Sequence, residues 1–332
     1  MRHTVQQGSQ EGENMPPINM LGQIGQSVFR SLILSAAKSP RIQAMAGRHG
    51  LKAGADRFVA GESLNDALNV LDRLHGEGMR TYVIALGEAV HTREGADAAA
   101  RIYERLIPDV ARNGQGTTFS IKLTHLGIEA DRDLALRHAR RIVSLAAEHS
   151  AFVRLDMEHS AVVDETLAIY RALRGDGLDN TGVVLQAYLH RSMDDLIGLL
   201  PLEPNIRVVK GAYLEPPGVA LQRKTHVDVA YRQLVRTALT YAKFTAVATH
   251  DASAIRAAMA DARKNDSDFE FQMLYGVGHA LARQIVAHGH AVRICVPFGQ
   301  DWFVYFTRRL AERPSNVLFV VRNLGRRQPW SI

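Results

Sequence analysis

The amino-acid sequence predicts an α/β fold in which eight strands close into a (β/α)8 TIM-type barrel, preceded by additional N-terminal helices. Three observations carry that expectation. Eight short runs of β-branched and aliphatic residues alternate with longer stretches of helical period. Successive runs start far enough apart to hold a strand, a helix and two loops, as a parallel crossover requires. Eight such units match the number that closes a barrel. A doubly wound open sheet is the rival arrangement.

The elements follow in order. Met1 to Asn14 is polar and lacks the apolar stretch of a secretory signal, so residues 1–15 read as a disordered leader, with Met15 and Met20 as alternative starts. Residues 16–60 read as a helical segment, with Leu21, Ile24, Val28, Phe29, Leu32 and Ile33 at helical spacing and Pro40 as a stop signal. The barrel is expected over residues 61–332. Ser63 is placed to cap a helix whose face is Leu64, Ala67, Leu68, Leu71 and Leu74, ended by Gly76 and Gly78. The strand runs are Thr81–Leu86, Thr118–Leu123, Phe152–Met157, Gly182–Ala187, Ile206–Lys210, Thr245–Thr249, Phe269–Leu274 and Val292–Val296. Among the helices between them, one opens at Asp131 and presents Leu134, Leu136, Ala139, Ile142, Val143 and Ala146. Asp194 and Asp195 precede a short one that Pro201 closes.

Composition narrows the function. With 332 residues, 46% of them hydrophobic and 22% charged, the chain has the make-up of a soluble globular protein. A single cysteine, Cys295, excludes a disulfide framework and any multi-cysteine metal site, and fits a reducing, cytoplasmic compartment. The net charge of +6 is spread among acids rather than gathered in a dense patch, which argues against nucleic acid as a partner. No run of about 18 apolar residues spans a membrane. The fourteen histidines show no metal-ligand spacing, so no metal is expected; His288 and His290 are expected on an exposed turn. Gly276-Val277-Gly278 imitates a dinucleotide fingerprint, but Leu281 stands where the third glycine belongs, and there is no G-x-S-x-G or P-loop sequence.

In such a barrel, function gathers at the C-terminal ends of the strands. Those ends carry Gly87-Glu88, Lys122, Asp156 and Glu158, Gln186 and Tyr188, Arg207, Lys210 and Tyr213, then Thr249, His250 and Asp251, then Gln272 and Tyr275. A final helix presents Tyr305, Arg308, Arg309 and Glu312. Polar groups on nearly every strand point to a large polar site. The cations Lys122, Arg207, Lys210, Arg308 and Arg309 suit a diphosphate-bearing cofactor plus a substrate carboxylate, which arginine binds bidentately. Solvated surface charge is the plainer reading of the Arg308-Arg309 pair. It fits less well for Lys122 and Arg207, embedded in apolar runs.

The ordered set of strand ends resembles the proline dehydrogenase family. Arg207-Val208-Val209-Lys210-Gly211-Ala212-Tyr213 is similar to that family's R-L-V-K-G-A-Y segment, and Tyr305 to Glu312 fits its Y-x-x-R-R-x-x-E helix. Val153 to Glu158, Val184 to Tyr188, Ala248 to Asp251 and Phe269 to Gly276 look like the successive strand ends, in order, from about Gly61 to Asn323. The resemblance implies an FAD-binding barrel that oxidises L-proline to 1-pyrroline-5-carboxylate. By position, Lys122, Arg308 and Arg309 look like the triad on the substrate carboxylate, and Glu88 like the acid that pairs with Arg308 as the site opens and closes. Arg207 is implied beside the flavin, with Asp156 as an active-site acid. Met157, Gln186, Lys210, Gly211, Ala212, Thr249 and His250 resemble flavin-binding positions, with Arg223 reaching the pyrophosphate. Tyr213, Leu274 and Tyr305 are implied against the substrate ring, and Glu312 braces the last helix.

The resemblance further implies a membrane quinone as electron acceptor, contacted at the inner face of the membrane through the N-terminal helices or the basic tail Arg322–Arg327. A separate pyrroline-carboxylate dehydrogenase is implied downstream. One position departs from the family: where proline-type members usually carry tyrosine on strand eight, this chain has Cys295, as if a smaller residue admitted 4-hydroxyproline. A barrel aldolase with Lys122 or Lys210 as a Schiff-base lysine, and a basic nucleic-acid or membrane-surface binder, are the readings from other classes.

Overall fold

The computed structural model describes residues 55–87, 89–112, 117–303 and 305–307. Eight strands pair in chain order, all parallel, as a closed barrel. They are β1 (Arg80–Ala85), β2 (Thr118–Ile121), β3 (Phe152–Leu155), β4 (Thr181–Gln186), β5 (Asn205–Val209), β6 (Phe244–Ala248), β7 (Phe269–Leu274) and β8 (Val292–Phe298). Closure comes from β1 on β8, in register from Arg80 opposite Arg293 to Ala85 opposite Phe298. The open-sheet alternative is thereby excluded. Each observed strand lies within one or two residues of the run that predicts it.

Helix α1 (Leu64–Gly76) precedes β1, and α2 (Arg93–Ala111), α3 (Arg132–Glu148), α4 (Val163–Gly175), α5 (Ser192–Leu199), α6 (Lys224–Tyr241), α7 (Ala252–Asn265) and α8 (His279–Ala287) follow the first seven strands. Beyond β8 the chain is helical again at residues 302–303 and 305–307. At the start of α1, Ser63 Oγ accepts from the Asp66 amide at 3.2 Å while Asp66 accepts from the Ser63 amide at 3.1 Å. This reciprocal cap satisfies two of the orphan donors of the first turn. Asp131 caps α3 by accepting from the Leu134 amide.

Three local expectations need correction. Leu136 sits half-buried at the edge of α3, and Ala135 and His138 take places on its buried face. Asp194 and Asp195 lie inside the first turn of α5, where carboxylates favour the helix N-terminus, and Asp195 pairs with Arg191. His290 is half-buried against the rings of Phe269 and Phe271, at 5.8 and 6.1 Å, while His288 is exposed. The residues 1–54, Glu88 and the stretch from Arg308 onward, including the expected leader, the N-terminal helices and the basic tail, lie outside the described residues.

The main core lies between sheet and helices. A second apolar cluster sits at the mouth, where Tyr82, Ile84, Leu86 and Cys295 meet Ala55, Phe58 and Val59 from ahead of the barrel and Trp302 and Phe306 from beyond it. The segment before α1 is stitched across this mouth. Ala60 N–H donates to Pro297 O at 2.8 Å, Gly299 N–H to Gly61 O at 3.0 Å, and Arg57 Nε to Gly276 O at 3.1 Å. Gly276 has φ +74°, and a Cβ there would lie 1.7 Å from the Arg57 carbonyl oxygen, so only glycine permits this crossing.

Candidate active site

Side chains two apart on a strand face the same way, so the inward residues of the barrel form layers. Asp156 lies just past the end of β3, tied to β2 by its amide, which donates to Ile121 O at 2.9 Å. Its carboxylate accepts from Ser120 Oγ at 2.5 Å and from Arg207 Nη2. Arg207 is buried over the ring of Tyr82, at 5.1 Å, and reaches Gln272 Oε1 at 3.4 Å. Burial alone would lower the guanidinium, but Tyr82 and Asp156 beside it outweigh this and hold it above its ordinary value. Burial, with the Cys295 thiol adjacent, pushes the Tyr82 phenol well up, so it stays neutral. Arg207 Nε is buried and has no hydrogen-bond partner among the described residues. A fixed cation with a spare donor is thus placed on the axis of the barrel.

Around this centre the strand ends supply a polar wall. Lys122 is half-buried at the end of β2. Burial, and then the charge of Lys122, keeps His125 below its usual range. Glu158 is buried and pushed up by desolvation, while it accepts from the Thr124 amide and hydroxyl at 3.0 and 2.7 Å and so pins the loop after β2. Gln186 Nε2 donates to the Glu158 carbonyl at 2.7 Å, which fixes the amide at the end of β4, and Met157 is buried nearby in the core. His250 Nε2 accepts from the Leu274 amide at 3.0 Å; this bond requires the tautomer protonated at Nδ1 and ties β6 to β7. Leu274, Tyr305 and Cys295 belong to the mouth cluster. Thr249 is buried, and its Oγ1 accepts from the Asp251 amide.

The segment after β5 turns outward. Gly211 has φ +112°, and a Cβ there would fall 2.1 Å from the Tyr188 ring, so only glycine lets the backbone pass this close to it. Ala212 is exposed, and Tyr213 is half-buried with its ring edge-on to His159 at 6.2 Å. Lys210 Nζ bonds Asp228 at 2.6 Å and Asp251 at 3.0 Å. Burial opposes its charge, but the two carboxylates raise it above the ordinary lysine range. Such an ammonium stays protonated at neutral pH, which removes Lys210 as a Schiff-base nucleophile. A cleft of about 230 Å³ opens beside it between the N-terminal ends of α6 and α7, lined among others by Asp228, Tyr231, Arg232 and Asp251. Arg223 is exposed at the residue preceding α6.

The structure therefore brings Asp156, Arg207, Lys122, Gln186, Leu274, Cys295 and His250 around one mouth, with Lys210, Thr249 and Arg223 on the α6–α7 side. Glu88, Arg308, Arg309 and Glu312 lie outside the described residues. Sequence reasoning gave no role to Ser120 and Tyr82, which complete the Arg207 environment, nor to Arg154, Glu270 and Arg293 one layer below. The available signal was a charge inside an apolar run, two residues before a strand-end polar group.

Fold and site together define a (β/α)8 barrel whose C-terminal strand ends gather polar groups around a buried arginine–carboxylate pair. The family profile described as "Proline dehydrogenase" matches residues 67–322. "Proline dehydrogenase" of Deinococcus radiodurans is 41% identical over 305 residues, covering 90% of this chain and 98% of that protein. "Proline dehydrogenase 1" of Bacillus subtilis strain 168 is 35% identical over 300 residues, covering 90% and 99%. Among solved structures, proline utilization A from Bdellovibrio bacteriovorus inactivated by N-propargylglycine aligns with a TM-score of 0.75 at 25% identity, covering 88% of this chain and 37% of that one. The chain belongs to the proline dehydrogenase family, and with it to the oxidoreductases of proline metabolism.

Proposed function

We propose that the chain oxidises L-proline to 1-pyrroline-5-carboxylate with FAD held across the mouth, and that the electrons leave to a membrane quinone. The observation that carries this reading is Arg207, buried against Asp156 and Tyr82 with an unpaired Nε at the centre of the mouth. The donor set fits an anionic, ring-bearing cofactor: Gln186, Arg207, Thr249 and His250, the close-packed backbone at Gly211, and Lys210 and Arg223 at a cleft framed by two helix N-termini would hold it. Bound there, FAD supplies the acceptor for the hydride that leaves C5 of the ring.

The residues of the chain do the rest. Lys122, with Arg308 and Arg309, grips the substrate carboxylate and so fixes which ring carbon faces the cofactor. Leu274, Tyr213 and Tyr305 bound the ring. Asp156 Oδ1 is already engaged by Ser120 and Arg207, so its task is to aim Arg207 rather than to take a proton. Arg207 offers positive charge where negative charge develops in the transition state. Glu88 pairs with Arg308 as the site closes, and Glu312 braces the last helix. Met157, Gly211 and Ala212 shape the cofactor wall. The product passes to a separate pyrroline-carboxylate dehydrogenase. Proline is the substrate in this reading and 4-hydroxyproline the alternative; the first is supported by Tyr82, which stands opposite Cys295 in register and shares its apolar cluster. Among the described residues no helix is long and apolar enough to cross a membrane, so quinone contact is peripheral in this reading.

The test is a visible spectrum of the purified protein, followed by anaerobic addition of L-proline and then of 4-hydroxyproline. Flavin bands near ~450 nm that bleach first with proline are expected. Bleaching by 4-hydroxyproline alone would move the substrate, and a colourless protein that FAD cannot reconstitute would sink the proposal.

A further inference from the structure

One layer beneath the site lies a buried cation for which none of the roles above accounts. Arg154 is two residues before Asp156 on β3, hence on the same face and about 7 Å down the strand. It is 2% exposed. Among the described residues its fork meets only neutral acceptors: Nη1 donates to Asn205 O at 2.9 Å and to Val183 O at 3.4 Å, and Nη2 to Asn205 Oδ1 at 2.6 Å. Nε has no partner among the described residues. The space for the fork is built in, since a Cβ on Gly182 would fall 2.7 Å from Nη1.

The charged groups that face it are already committed elsewhere. Asp156 is taken by Arg207. Glu270, across the barrel on β7, is taken by Arg293 at 2.6 Å, by Gln272 at 2.8 Å and by Arg80 at 3.4 Å. Tyr170, from α4, is kept neutral by its burial. Among the described residues Arg154 makes no ion pair, while Arg207 and Arg293 hold the carboxylates of Asp156 and Glu270, so its positive charge has no bonded carboxylate. Burial, then the repulsion of Arg207, pulls Arg154 down to about 9, so the charge is still present at neutral pH. A buried ion without a counter-ion is costly, and an aspartate at position 205 would have relieved it.

We infer that Arg154 is a positioning residue that acts through its field: its uncompensated charge beneath the Asp156–Arg207 pair favours the neutral form of the substrate's secondary amine above it. Hydride can leave only from the carbon next to a neutral nitrogen, whose lone pair forms the imine. Amino acids reach the site as zwitterions, so the ammonium proton has to be shed to solvent first. A nearby positive charge lowers the pKa of that ammonium, and the same field favours an anionic acceptor. This inference rests on the function proposed above.

Asn205→Asp tests it without removing Arg154, by supplying the missing carboxylate at an isosteric position. The acid limb of kcat/KM for L-proline is expected to move up by about one pH unit, as for a unit charge about 10 Å away at intermediate dielectric. The midpoint potential of the bound flavin is expected to fall, while the thermal midpoint holds or rises. A merely structural arginine predicts an unmoved limb and potential. Arg154→Lys and Arg154→Gln form a second pair: both lose the fork, but only the neutral variant should shift the limb. If the wild type turns over L-proline and the limbs of Asn205→Asp and Arg154→Gln superpose on its own, the inference is wrong. If the wild type does not oxidise L-proline at all, the reading beneath it fails, and this inference with it.

Discussion

The two halves of the barrel mouth are built from opposite materials. On the β8–β1 side, Tyr82, Ile84, Leu86 and Cys295 join Phe58, Val59, Trp302 and Phe306 in an apolar cluster. On the β3–β6 side, Asp156, Arg207, Lys210, Asp228 and Asp251 form ion pairs. An apolar wall can fix the position of a ring and of a covering helix by packing alone. A charged wall fixes anions and tunes protonation, but it needs each group tied to a partner. The difference separates two jobs that the oxidation proposed above requires, namely shape on one side and charge on the other.

Replacing Arg207 by Met should give the largest effect. It strands the buried Asp156 carboxylate and removes the axial cation, so we expect a loss of about 3–5 kcal/mol in urea unfolding. A fall in kcat/KM of roughly a hundred- to a thousand-fold should accompany it. A variant with normal kcat/KM would mean that the charged wall is only structural. On the apolar side, Phe58→Ala should cost about 3 kcal/mol of stability, because Phe58 is buried and its ring lies 6.1 Å from that of Phe306. Its kinetic signature should be a raised KM with kcat little changed, since no reacting group is touched. Equal losses in both parameters would erase the distinction between the halves.

Lys210→Met should give the smallest change in stability, less than about 1 kcal/mol, because the ammonium is partly exposed. Its pH dependence is the sharper readout. Burial pushes Asp228 up, but Lys210 and Lys224 hold it below the usual carboxylate range, and Lys210 does the same for Asp251. Groups with depressed pKa contribute stability above the ordinary carboxylate range, and that contribution fades as pH falls through their folded values. The raised Lys210 contributes below its unfolded value and fades as pH rises through the folded one. Wild type and variant should therefore differ most at neutral pH and converge in acid. A gap that persists in acid would point to packing instead of charge.

Much of this was legible in the sequence. The eight strands were, because each is a short apolar run set between stretches of helical period, and both signals are local. The position of Asp156 and Arg207 toward the strand ends was legible too, through the motifs that carry them. Ser120, Arg154 and Glu270 were not, because their roles depend on register between strands: Ser120 opposite Arg154, and Gln272 opposite Arg293. No single run of sequence carries that information. The split of the mouth into halves was equally hidden, since Phe58 and Phe306 lie far apart in the chain and read separately as ordinary helical residues.

That separation bears on how the barrel completes itself. The bond from Arg57 to Gly276 spans 219 residues and that from Trp302 to Glu62 spans 240. Loop closure over such lengths comes late, and contacts of this range slow folding. During synthesis the Ala55–Gly61 segment must wait, with Phe58 exposed, until β8 and the residues beyond it have left the ribosome. The apolar wall therefore forms later than the charged one, and no fragment lacking residues 292–307 can present it.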